Sequence, residues 1–301
     1  MRNSDLRILV GIATAGRRET LSNMLAHVAT QTRPADAIIV CPARAEDFDT
    51  DTAAALGLPV RVVVGRVGSC HQRNAILDAA GDADVVVFFD DDFLPADDYL
   101  SECERAFCMG PRVTVVTGVV LADGAQGPGL TLRQGRQVLA ADAGIGRHKN
   151  PTPVHNAYGC NMAFRLSAIR KVGARFDEAL PLYAWQEDVD FCRRLASQGS
   201  ILQSPAMRGV HLGVKSGRTS GLRLGYSQIA NPLYLANKGT VSLPWALRLM
   251  ARNMAANVAG SVRKPGLVDR RGRLRGNLRA VYDLVRRRLA PDRILEFETS
   301  P

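Results

Sequence analysis

The stretch VVVFFDDDFLP, residues 85–95, constrains the fold more than any other. Its β-branched and aromatic start reads as a strand buried on both faces. That strand runs straight into Asp90, Asp91 and Asp92. Adjacent carboxylates repel, and the repulsion grows as water is withdrawn. Such a strand ends either in solvent, with Asp92 or Asp97 capping a helix, or beside something positive.

The chain around it alternates. LRILVGIAT (6–14) reads as a strand, ETLSNMLAHVATQ (19–31) as a helix by its apolar spacing, and PADAIIVCPA (34–43) and LPVRVVVGR (58–66) as strands. SCHQRNAILDAAG (69–81) reads as a helix closed by glycine, and 83–90 as the strand already named. This order predicts an α/β fold with a mostly parallel sheet flanked by helices, whose ligands sit at the carboxyl ends of the strands. Asp90 to Asp92 lie at such an end. Farther on, 95–109 reads as a helix and 112–121 as a strand. Residues 122–137, 144–153 and 209–225 read as polar, glycine-rich loops, 158–173 as a strand entering a helix, and 185–199 as a helix with acids in its first turn.

Several classes are excluded early. No apolar run reaches the roughly 20 residues that span a bilayer, and MRNSDLRILVGIAT lacks a signal-peptide pattern. The six cysteines are too scattered for a disulfide framework or a zinc site and are expected to be free thiols in a reducing compartment. The net charge of +10 is uneven: residues 241–301 hold 13 Arg and Lys against 5 Asp and Glu.

IATAGR, GSCHQRN, FFDDDFLP, YGCNMAFR, WQEDVDF and GVHLG follow one another in this order. Together they resemble the family 2 glycosyltransferases, over about residues 6 to 215. The resemblance implies a GT-A fold, Rossmann-like with a mixed, mostly parallel sheet. It places a catalytic domain at 1–220, its nucleotide-sugar half at about 1–121 and its acceptor half at about 122–220, followed by a basic helical extension at 221–301. The implied activity is metal-dependent, inverting transfer of a sugar from a nucleotide diphosphate donor to a glycan hydroxyl.

Physical chemistry supports the same assignment. Breaking the bond between sugar and diphosphate builds negative charge on the leaving group, and a divalent cation on hard oxygen ligands offsets it. That cation also makes the three aspartates compatible. The resemblance carries metal, ribose and phosphate roles to Asp90 and Asp92, with Asp91 either turned away or joining the donor contacts. His211 would complete a site for Mn²⁺ or Mg²⁺, and imidazole favours Mn²⁺; the plainer reading is a structural histidine. Lys215 and Arg218 would reach the diphosphate, or be solvated loop charges. Asp188 would be the general base, taking the proton of the attacking hydroxyl, and Glu187 would position acceptor or sugar; both also suit a helix first turn. Trp185 would stack on the acceptor sugar or belong to the core. Thr14, Arg17 and Arg73 match donor-binding positions, although Arg73 and Asn74 could instead brace the sheet.

One departure stands out. Where the family commonly has an acid after the second strand to read the base, this chain has Cys41, Pro42 and Ala43, with acids only at Glu46 and Asp47. UDP remains the favoured donor nucleotide, with dTDP or GDP as alternatives. Basic amphipathic patterns at 243–264 and 276–295 suit an anionic membrane surface and a lipid-linked acceptor, and equally a homodimer or packing on the domain. The expected location is the cytoplasm, peripheral on the inner membrane. Two other classes compete. A nucleotidyltransferase would want a lysine in its first glycine loop, absent from GIATAGRRE. A nucleic-acid-binding protein would fit the basic tail, yet aromatics are 6% and no binding motif is present.

Overall fold

The computed structural model describes residues 6–142, 144, 148–216, 219–262 and 268–297, without the side chain of Gln126. The first half alternates as expected: β1 (Ile8–Thr14), α1 (Arg18–Val28), β2 (Ala37–Pro42), α2 (Thr50–Ala55), β3 (Val60–Val62), α3 (Ser69–Asp78) and β4 (Val85–Asp90). Then come β5 (Phe93–Pro95), α4 (Tyr99–Cys108), β6 (Val113–Asp123), α5 (Leu132–Ala141), β7 (Thr152–Pro153), β8 (Asn161–Arg165), α6 (Leu166–Val172), α7 (Glu187–Leu195) and β9 (Ser200–His211). Three helices close the chain: α8 (Gly221–Asn237), α9 (Leu243–Ser261) and α10 (Arg270–Val285), followed by a 3-10 turn at Pro291–Glu296.

Among the described residues one sheet runs β3-β2-β1-β4-β8-β6-β9-β5, with β7 also on β9. The first four strands are parallel, β8 is antiparallel to both its neighbours, and β6 and β9 are parallel. The sheet is buried on both faces, which is why its central strands are unbroken apolar runs. Ile8, Val10 and Ile12 pack with Phe89, Phe93 and Tyr99 on one face. Leu9, Phe88, Phe164, Phe176 and Phe191 pack on the other, where Phe176 stacks on Phe191 at 4.0 Å.

Several expectations need correction. The strand expected over 58–66 pairs only at Val60–Val62, because the following residues leave the sheet edge for the loop before α3. The loop expected at 122–137 contains the start of α5, capped by a reciprocal Thr131–Gln134 box. The loop expected at 209–225 is divided: β9 runs to His211, and α8 begins at Gly221. The last helix covers 270–285, not 276–295, since Asp269 caps it early and Arg287 turns left-handed at φ 55°.

The terminal helices are tied to the sheet domain and to one another. Asp190 of α7 is fully buried and accepts from Lys238 Nζ at 2.7 Å and Thr240 Oγ1 at 2.8 Å. Leu235, Val241 and Ala246 enter the core of the sheet domain. Among the helices themselves, Asn257 donates to Gln228 and Asn277, and Asn277 donates to the Gly225 carbonyl, at 2.7–2.8 Å. Buried amides with every partner in place specify one packing. Gly225 and Gly276 let α8 and α10 cross closely: a Cβ on Gly276 would stand 2.6 Å from the Tyr226 nitrogen.

Candidate active site

The site grows from strand register. Ala13 of β1 pairs with Asp90 of β4, so both strands end together. The chain then turns through Asp91 and Asp92 into β5, where Phe93 pairs with His211 of β9. On its other side His211 pairs with Asp123, the last residue of β6. A single rung thus brings residues 93, 123 and 211 together, with Asp92 beside it. Backbone bonds fix the arrangement: Leu212 N donates to the Asp92 carbonyl at 2.9 Å, and Val214 N to Asp92 Oδ2 at 2.8 Å.

Ligand atoms of Asp90, Asp92 and His211 lie within 4.8 Å of one another. His211 Nε2 stands 3.3 Å from Asp92 Oδ1. That oxygen is buried and has no well-formed hydrogen bond, which is costly for a carboxylate unless something else binds it. On its far side, His211 Nδ1 lies 2.9 Å from Asp123 Oδ1. A carboxylate can only accept, so Nδ1 carries the proton and Nε2 faces the aspartates. Asp123 is itself oriented by the Tyr158 hydroxyl at 2.8 Å and the Ala125 nitrogen at 2.8 Å. A carboxylate behind a histidine is the usual orienting partner of a metal-binding imidazole. Oxygen, oxygen and imidazole nitrogen form a donor set suited to Mn²⁺, and the orphaned Asp92 oxygen fits it.

Burial and the neighbouring charges set the electrostatics of the cluster. Burial pushes Asp90 and Asp91 above the usual carboxylate range, against the pull of Arg73 and Arg17. Burial would also raise Asp92, but the nearby His211 imidazole and Arg17 guanidinium outweigh it and hold Asp92 low. Asp123 is likewise brought down to about 2, His211 again overcoming burial. Burial alone would depress His211; the carboxylates of Asp123 and Asp92 prevail and push it up to about 10, so a metal ion at Nε2 would take the place of a proton there.

Other expected residues take distinct places. Asp91 turns into the protein, where it accepts from the Thr14 hydroxyl at 2.6 Å and Arg17 Nη1 at 2.9 Å. Arg17 also donates to the carbonyls of Val214 and Ser216, tying the first loop to the segment after β9. Lys215 Nζ lies 3.0 Å from the Gly124 carbonyl. Arg218 lies outside the described residues.

Arg73 joins the two acidic groups. Its guanidinium is buried, donates to Asp90 Oδ1 at 3.1 Å and to Glu187, and lies over the Phe176 ring. Asn74 beside it braces Phe176 through both backbone groups. Glu187 and Asp188 open α7, and burial raises both carboxylates, Arg73 partly reversing this at Glu187. A raised carboxylate is a stronger base once ionised, as proton abstraction requires. The loop entering α7 holds Leu182, Ala184 and Gln186 at φ 59°, 52° and 80°. Backbone of this kind is uncommon outside glycine and clusters at functional sites. Trp185 is half-buried there, its carbonyl accepting from Asn231 of α8 at 2.7 Å.

Comparison with known proteins agrees with this architecture. Mannosyltransferase PcManGT from Pyrobaculum calidifontis, solved with GDP-Man and Mn²⁺, is 19% identical, with 96% of this chain and 85% of that one covered at TM-score 0.53. S. aureus TarS 1–349 is 14% identical, with 96% and 82% covered at 0.55. Glucosyl-3-phosphoglycerate synthase from Mycobacterium tuberculosis, solved with Mn²⁺, UDP and phosphoglyceric acid, is 19% identical, with 77% and 78% covered at 0.51. No curated protein matches in sequence. The profile of glycosyltransferase-like family 2 matches residues 6–205. With its mixed sheet closing on the aspartate cluster, the chain belongs to that family and is a glycosyltransferase of GT-A fold.

Proposed function

We propose that the protein transfers a sugar, with inversion, from a nucleoside diphosphate donor to a hydroxyl of a glycan acceptor. The observation that carries this reading is the grouping of Asp90, Asp92 and His211, linked through Arg73 to Glu187 and Asp188. Asp90, Asp92 and His211 would hold Mn²⁺, which would supply positive charge against the departing diphosphate. Asp123 keeps the His211 imidazole in the required tautomer. Arg17 and Lys215 keep the segment after β9 against the first loop and residues 124–125, and that segment closes over the diphosphate.

Asp188 takes the proton from the acceptor hydroxyl as that oxygen attacks the anomeric carbon. Glu187, held by Arg73, orients the sugar. Trp185, in the strained loop entering α7, is the acceptor platform. Nothing at the end of β2 singles out a base: Asp47 instead accepts from the Arg44 backbone nitrogen at 3.1 Å. UDP, dTDP and GDP therefore stay together as the donor class. The acceptor belongs to a lipid-linked glycan, a reading supported by the basic helices at the C-terminus.

Asp188→Asn tests the reaction. Donor binding, measured by calorimetric titration of a nucleoside diphosphate with Mn²⁺, is expected to persist, while transfer falls by about 10³-fold. Normal turnover in the variant removes Asp188 as the base.

A further inference from the structure

The outward surface of α9 and α10 is unusual in two ways. It is apolar where a surface helix is ordinarily polar: Leu243, Leu247 and Val258 on α9, and Leu278, Val281, Tyr282 and Val285 on α10, are exposed, Val285 at 77%. Its charge is also of one sign. Residues 243–288 hold twelve Arg and Lys and two Asp. The two Asp offset little of this charge: Asp269 caps the start of α10, and Asp283 is fully buried, pairing with Arg288 of the same stretch and accepting also from Tyr226 and Arg293. Tyr282 is flanked by Arg279 and Arg286, 5.8 and 5.3 Å from its ring. Both helices pack on α8 and on each other, so these faces adjoin.

We propose that this paired face docks on an anionic lipid bilayer. Leucine and valine side chains enter the boundary between headgroups and acyl chains, and the arginines pair with lipid phosphates. Charge complementarity selects this occupant. A second copy of the chain would set the arginine-rich face against itself, since a two-fold contact repeats one patch on both sides. A nucleic acid would satisfy the arginines and leave the leucines and valines in water. Among the described residues no helix is long and apolar enough to cross a membrane. The proposal stands independently of the transfer chemistry.

Flotation of the full-length protein with vesicles tests it. The wild-type chain is expected to float with phosphatidylcholine vesicles containing phosphatidylglycerol and to stay behind with phosphatidylcholine alone. Leu247→Glu/Val258→Glu and Arg248→Gln/Arg252→Gln/Arg286→Gln alter exposed positions. Each is expected to lower the bound fraction on anionic vesicles by about tenfold or more with an unchanged far-ultraviolet dichroism melt. Equal flotation of wild type and both variants overturns the proposal, as does failure of the wild type to float. So does a dimer in light scattering that Leu247→Glu/Val258→Glu dissolves, or RNA that binds in preference to the anionic vesicles.

Discussion

Asp123 shows what a single residue adds beyond its type. Asp90, Asp92 and His211 stand out in the sequence because their types and order suit a cation. Asp123 does not, because its relation to His211 exists only in the register of β6 on β9. That register is interrupted between Gly118 and Val119 and again between Val120 and Ala122, and no periodicity reveals such shifts. Arg73 was legible as an important arginine, but not as the link between Asp90 and Glu187, residues 97 positions apart in the chain. Removing an orienting carboxylate typically costs a metal site 10–100-fold in affinity. Asp123→Asn is accordingly expected to weaken Mn²⁺ binding by about that factor, read from free Mn²⁺ by electron paramagnetic resonance without donor. An unchanged isotherm means Asp123 only closes the turn after β6.

At the scale of elements, the strands of the first half were readable because burial on both faces forces continuous apolar runs. Helices α5 and α8 were not, because glycines that weaken helix propensity disguised them. Gly135 sits inside α5 since a Cβ there would stand 2.7 Å from Leu212 and 2.8 Å from Leu94. In α8 Gly225 serves the crossing with α10, and Pro232 interrupts the pattern again. The Thr131–Gln134 box was the available signal for α5. The C-terminal turn depends on Asp283, which its arginine and tyrosine partners hold below the usual carboxylate range despite burial. A lowered folded value gives stability that is present above the unfolded value near 4 and lost as pH falls through the folded one. Asp283→Asn is therefore expected to lower Tm by about 5 °C at neutral pH, with the gap to wild type closing below about pH 4. A gap independent of pH rules out the ionic contribution.

For the whole molecule, the extension was visible in the sequence as helical and basic, but not which of its faces is covered. Met250 and Met254 turn inward, whereas Val258, Leu278 and Val285 face out. Which side of a helix is covered depends on what it packs against, here α8, whose existence was missed. The extension is also integral to the sheet domain, through Asp190. Losing that carboxylate leaves the Thr240 hydroxyl without its acceptor and Lys238 paired with Asp177 alone, so Asp190→Ala is expected to cost about 2 kcal/mol in denaturant unfolding. A loss below about 0.5 kcal/mol, the scale of an ordinary surface change, shows that the helices contribute little to the domain's stability.

The rung joining residues 93, 123 and 211 has a consequence for biosynthesis. Its participants are separated by 88 positions between 123 and 211, and β9 is the last of the described strands in chain order. On the reading proposed above, the aspartates at the end of β4 are made early and wait for a distant histidine to complete their donor set. A polypeptide that stops before residue 211 would then carry the acids without the imidazole, and ion capture would arrive only with β9.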